Sequence, residues 1–161
     1  MKQPWWSGQR GEWYVVVQIL LLALLVFGPE SISWLPRWSG SLRTASQLIG
    51  APISIIGLLL LGSGMLHLGP NLTALPHPKD DSELVTNGAY GIVRHPIYGG
   101  MILGALGWSL WKGSVLMLVY TAILFAFFDV KSRREERWLR DKFKPYAAYQ
   151  QRVRKLVPFI Y

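Results

Sequence analysis

Twenty-one consecutive residues, 48–68, carry no formal charge and read LIGAPISIIGLLLLGSGMLHL. At a helical rise of about 1.5 Å per residue, a run of that length covers the ~30 Å hydrocarbon core of a bilayer. A chain that contains it must bury it inside a large core or lay it across a membrane. Composition decides between the two. Over 161 residues, 51% are hydrophobic and only 16% charged, which is too apolar for a soluble globule of this size. The sequence therefore predicts an all-α protein, a multi-pass transmembrane helical bundle of about four spans, forming one membrane-embedded domain over residues 1–161.

The remaining spans are shorter. Residues 13–27 form an apolar block that Trp5, Trp6 and Trp13 would hold near the interface. Lys2 and Arg10 precede it as in a secretory leader, but Gly28-Pro29-Glu30 follows in place of a small-residue cleavage pattern, so it is expected to be a retained first helix. Residues 30–47, with Trp34, Pro36, Arg37, Trp38 and Arg43, read as a loop at the lipid headgroups, and Pro52 falls near the start of the second span, where a helix tolerates it. Residues 97–111 and 114–128 are joined only by Lys112-Gly113, which predicts an antiparallel helical hairpin spanning 97–128. Gly100 and Gly104 give its first helix a small-residue face for close backbone approach.

Ten of the seventeen basic residues lie between Lys131 and Lys155, and this placement assigns the net charge of +8 to anionic membrane lipid rather than nucleic acid. Within residues 129–161, Leu139, Phe143, Tyr146, Gln150 and Val153 recur as one face, so the tail is expected to be a C-terminal amphipathic helix on the cytoplasmic surface, interrupted at Pro145. With four spans, that places the 69–96 connection inside as well. No cysteine is present, which excludes thiolate chemistry. His77 with Asp80 or Asp81 could be drawn as a metal site, but no two of the three histidines are paired at ligand spacing, and no metal is expected.

Polar chemistry collects in two places. The first is SELVTNGAYGIVRHPIYGG, residues 82–100. Pro96 at a first helical position makes His95 the cap, and the helix start then offers free N–H groups and a positive dipole end beside Arg94. Tyr90, His95 and Tyr98 add directional hydrogen bonds. The second is Arg133-Arg134-Glu135-Glu136, beyond the hairpin. Neighbouring carboxylates on a helix point about 100° apart, so one can face a pocket while the other pairs with a base. A closed hairpin brings the two places together, and jointly they suit a zwitterionic ligand.

In this order and spacing, Leu84-Val85-Thr86-Asn87-Gly88-Ala89-Tyr90, Arg94-His95-Pro96-Ile97-Tyr98, Glu135-Glu136 and Val157-Pro158-Phe159-Ile160 resemble the isoprenylcysteine carboxyl methyltransferase and phospholipid methyltransferase family of integral-membrane enzymes. The resemblance implies transfer of a methyl group from S-adenosyl-L-methionine to a lipid or lipidated acceptor, by carboxylate O-methylation or amine N-methylation. It implies cofactor contacts at Ser82, Glu83, Leu84 and Val85, at Tyr90, at His95, Pro96, Ile97 and Tyr98, and at Glu135, with Arg94 and Glu136 alongside. A basic residue before the glutamates would anchor the substrate, and Lys131, Arg133 and Arg134 are the candidates. Two other readings stand beside it. Sterol-type membrane reductases share Arg-His-x-x-Tyr and use NADPH, but usually carry Asn and an acidic residue where this chain has Ile97 and Gly100. The third reading is a non-catalytic membrane subunit.

Overall fold

The computed structural model describes residues 10–35 and 37–161. Lys2, Trp5, Trp6 and Pro36 lie outside the described residues. The elements are α1 (Glu12–Phe27), α2 (Gly40–Leu68), a 3-10 turn (Gly69–Asn71), α3 (Ala89–Ile92), α4 (Pro96–Lys112), α5 (Val115–Lys142) and α6 (Tyr146–Arg152). Among the described residues there is no strand beyond two isolated bridges, Arg37 with Ser114 and Val93 with Arg154.

Two helices are long and apolar enough to cross a membrane: α2 continued through the 3-10 turn, and α5, with mean hydropathies of 2.0 and 1.8 over their apolar windows. Only 17% and 33% of those windows is buried inside the protein. The core helix of a soluble protein would bury most of such a surface, whereas here Leu48 and Leu59 are 72% and 67% exposed, as suits contact with lipid. α1 is shorter at 16 residues and stops at Gly28, whose N–H reaches the Leu24 carbonyl at 2.8 Å before Pro29 ends the helix.

α2 and α4 pack along a glycine seam. Gly50, Gly57 and Gly64 recur every seven residues on one face of α2. A methyl group placed on Gly50 would lie 2.6 Å from the Gly107 carbonyl, on Gly57 2.8 Å from that of Gly100, and on Gly64 3.0 Å from the Pro96 ring. The small face expected at Gly100 and Gly104 is thus met by α2. α4 joins its hairpin partner α5 differently, through a buried hydrogen bond of 2.9 Å between the Ser109 and Thr121 hydroxyls.

The connection expected over residues 30–47 is shorter than its composition indicates. α2 begins at Gly40, so Pro52 lies well inside the helix rather than near its start. Arg43, expected at the headgroups in a loop, is a helical residue whose guanidinium caps the Lys112 carbonyl at the C-terminus of α4. At the other end, α5 extends well past the apolar residues and stops at Phe143, and α6 follows Pro145. The face drawn through Leu139, Phe143 and Tyr146 is therefore divided between two helices, and these three residues turn toward a cavity inside the protein. The last residues cross the start of α4: Arg94 and His95 give their N–H groups to the Arg154 and Lys155 carbonyls at 2.7 and 3.0 Å.

Candidate functional site

α1, α2, α4, α5 and α6 and the 72–85 segment enclose a cavity of about 410 Å³, within the range of small-molecule sites. The connection is brought back to it by Gly88, whose φ of 56° a side chain would strain, and whose missing Cβ leaves the space taken by the His67 ring. Beyond α3, His95 caps α4 and Pro96 opens it, as expected. The His95 side chain does not bond to its own helix start. It reaches α5, with Nε2 3.2 Å from Glu136 and Nδ1 3.9 Å from Glu135. Its ring stacks on Tyr98 at 5.4 Å, and Tyr98 stacks in turn on Phe128 at 4.7 Å.

The two glutamates divide as consecutive helical residues must. Glu135 turns into the cavity and accepts a 2.8 Å hydrogen bond from the Tyr98 hydroxyl. Glu136 is buried behind it, accepting from Arg94 Nε at 2.7 Å and Gln150 Nε2 at 2.7 Å, with His95 beside it. Arg94 also donates to the Gln150 carbonyl at 3.0 Å and to that of Val153. This alters one expectation. The Arg94 charge is compensated by Glu136 and committed to the tail, so it does not act as a free counter-charge for an anion at the start of α4.

Of the three basic candidates, Lys131 is the one that lines the cavity. It is 1% exposed, donates to Gln18 Oε1 of α1 at 2.6 Å and to the Ala74 carbonyl at 3.1 Å, and lies 5.0 Å from the centre of the Tyr98 ring. Arg133 points outward and pairs with Asp129 at 2.8 Å. Arg134 stacks over Trp138 at 4.5 Å. Lys131 and Glu135, four residues apart, share a helix face, and that spacing was the available signal.

Ser82, Glu83, Leu84, Val85, Tyr90, Arg94, His95, Ile97 and Tyr98 also line the cavity, while Pro96 and Glu136 do not. The 82–85 segment is pinned from both sides. Asn71 accepts from the Glu83 N–H at 3.2 Å, and Lys142 donates to the Asp80 carbonyl and the Ser82 hydroxyl, each at 2.9 Å. Burial pushes the Tyr90 hydroxyl well above its ordinary range, with the Glu135 charge adding to the effect, so it remains a neutral donor. Gln18, Met65, Met101 and Phe143 are among the further wall residues that were not foreseen. Apolar wall residues look like lipid-facing ones in sequence, but Gln18 is the one amide in the apolar run of α1. His77, drawn above as a metal candidate, has its Nδ1 2.9 Å from the Pro78 carbonyl and its ring edge on Trp138.

A helical bundle with an outward-facing apolar surface and a cavity lined by both polar and apolar side chains marks a membrane protein with a candidate small-molecule site. Comparison with known proteins gives the class a family. Residues 45–145 match the family model described as phospholipid methyltransferase, and the chain belongs to that family. A probable protein-S-isoprenylcysteine O-methyltransferase of Oryza sativa subsp. indica is 32% identical over 70% of this chain and 61% of its own length. A protein-S-isoprenylcysteine O-methyltransferase of Schizosaccharomyces pombe is 30% identical over 92% of this chain and 67% of its own. The cobalt-zinc-cadmium resistance protein CzcN of Cupriavidus metallidurans is 29% identical, over 92% of this chain and 62% of its own. The chain thus spans about three fifths to two thirds of the length of these relatives.

Proposed function

We propose that this chain is an S-adenosyl-L-methionine-dependent methyltransferase acting on the carboxylate or amine of a lipid or lipidated acceptor. The observation that carries the reading is that Glu135 and Lys131, on one face of α5, line the same cavity as residues 82–85 and Tyr90. The donor set fits the cofactor. A carboxylate at the cavity wall favours a cation, and the hydroxyl of Tyr90, kept neutral by burial, offers a hydrogen bond to its polar ends. Residues 82–85, Tyr90, 95–98 and Glu135 would hold it. When bound, S-adenosyl-L-methionine supplies a methyl group made electrophilic by its sulfonium.

The chain's own contribution is orientation and exclusion of water. Tyr98 fixes Glu135 by its hydroxyl and is itself held between the His95 and Phe128 rings. The Lys131 ammonium, steadied by Gln18 and the Ala74 carbonyl, is a partner for an anionic acceptor, which favours carboxylate over amine methylation. Leu61, Met65 and Met101 supply an apolar wall for an acceptor's hydrocarbon chain. α1 packs on α5 and α2 on α4, so in this reading the chain enters from the bilayer between α1 and α2. The whole forms one domain of four spans, α1, α2, α4 and α5, with the cofactor site and the basic tail facing the cytoplasm. Family membership favours methyl transfer over the reductase and subunit readings.

The test is incubation of the purified protein with methyl-labelled S-adenosylmethionine and a lipid extract. The expected result is a lipid-soluble labelled product whose label is released by base, as a methyl ester's is. Turnover of NADPH without label transfer would overturn the reading.

A further inference from the structure

Among the described residues, one buried side-chain nitrogen or oxygen has no hydrogen-bond partner: the hydroxyl of Tyr146. The residue is 1% exposed, opens α6 and lines the cavity. Its neighbours are all satisfied. Tyr149, in edge contact with it at 5.7 Å, gives its own hydroxyl to the Tyr90 carbonyl at 2.6 Å. Tyr98 is bonded to Glu135, and Glu136 accepts from Arg94 and Gln150. Folded proteins leave few buried polar groups unpaired, and a phenylalanine would fill the same volume without the penalty. An unpaired hydroxyl kept at a cavity wall is therefore a group that a ligand completes.

The chemistry of the missing partner follows from the surroundings. Burial pushes the Tyr146 hydroxyl far above its ordinary range, so it stays protonated and can donate. Among the described residues no acceptor lies within hydrogen-bond distance of it, and the residue lines the cavity, so the acceptor it lacks is one that a molecule in the cavity would supply. We propose that the Tyr146 hydroxyl is a cofactor-binding group, donating a hydrogen bond to an oxygen or ring nitrogen of the amino-acid–nucleoside held in this cavity. The proposal rests on the methyl-donor reading above and makes α6 a wall of the site as well as part of the membrane-side tail.

The experiment uses the full chain in detergent. Binding of S-adenosylhomocysteine is measured by calorimetry, and melting without ligand is followed in parallel, for wild type, Tyr146→Phe and Tyr149→Phe. Tyr146→Phe loses no hydrogen bond in the free protein, so it is expected to melt at or above the wild-type temperature yet bind about tenfold more weakly. Tyr149→Phe leaves the Tyr90 carbonyl without its donor and is expected to melt lower. Wild-type affinity in Tyr146→Phe overturns the proposal and leaves the methyl-donor reading standing, and so does a lowered melting temperature that accompanies the lost affinity. Failure of the wild type to bind overturns both.

Discussion

Arg94 and Glu136, separated by 42 positions in the chain, meet at 2.7 Å with side chains only 10% and 6% exposed. The pair ties the start of α4 to α5 and, through the remaining bonds of Arg94, to the tail. Because Glu136 is held there, Glu135 is turned into the cavity. The ion pair is thus the brace, and the neighbouring carboxylate is the proposed cofactor contact.

Breaking the brace from one side leaves a buried charge without compensation. Arg94→Met and Glu136→Leu are each expected to destabilise the protein by about 3–5 kcal/mol, and the double variant by less than their sum. Thermal unfolding in detergent, arranged as a double-mutant cycle, checks this.

Lys131 is expected to be the anchor for an anionic acceptor. Lys131→Met should lower methyl transfer about 10- to 100-fold, chiefly through the KM for acceptor, because a charge-assisted hydrogen bond is lost. Arg133→Ala and Arg134→Ala, which remove an exposed pair with Asp129 and a stack on Trp138, should stay within about twofold of wild type. Initial rates over an acceptor series decide between them.

The glycine seam gives a steric test. Gly57→Ala puts a methyl group against the backbone of α4 and is expected to cost about 1–3 kcal/mol. Gly62, with nothing within 4 Å of its would-be Cβ, should accept alanine with a gain of up to about 1 kcal/mol. Melting temperatures of the two variants should move in opposite directions.

At the far end of the hairpin, Lys112 donates to Glu30 at 2.6 Å and holds that carboxyl below its ordinary range. A lowered folded-state value means the contribution is present at neutral pH and is lost as pH falls through that value. Both side chains are partly exposed, so the effect is below about 1 kcal/mol. Lys112→Met should narrow the difference in melting temperature between neutral and acid conditions.

Much of the site was legible because it rests on local rules. Pro96 after His95 announces a helix start, and two adjacent glutamates on a helix must point to different sides. A two-residue link forces α4 and α5 side by side, which brings those features together. What local rules could not supply was the third dimension of the tail. Arg94 looks like a free cation until the tail's carbonyls and Glu136 close on it, and Tyr146 looks like one position on an amphipathic face. The start of α2 was obscured by Trp38 and Arg43, residues typical of an interfacial loop, since only the tertiary contact with Lys112 shows why an arginine stands in that helix. Two signals lay in the sequence unread: the seven-residue recurrence of Gly50, Gly57 and Gly64, and the four-residue spacing of Lys131 and Glu135.

In the proposed reading Glu135 serves the methyl donor while Glu136 serves the fold. The most direct measurement is the affinity of the Glu135→Gln protein for S-adenosylmethionine, with its melting temperature as control. The expected result is at least about tenfold weaker binding at an unchanged melting temperature, because the amide keeps the shape of the carboxylate and loses its charge. Wild-type affinity in that variant would contradict the claim.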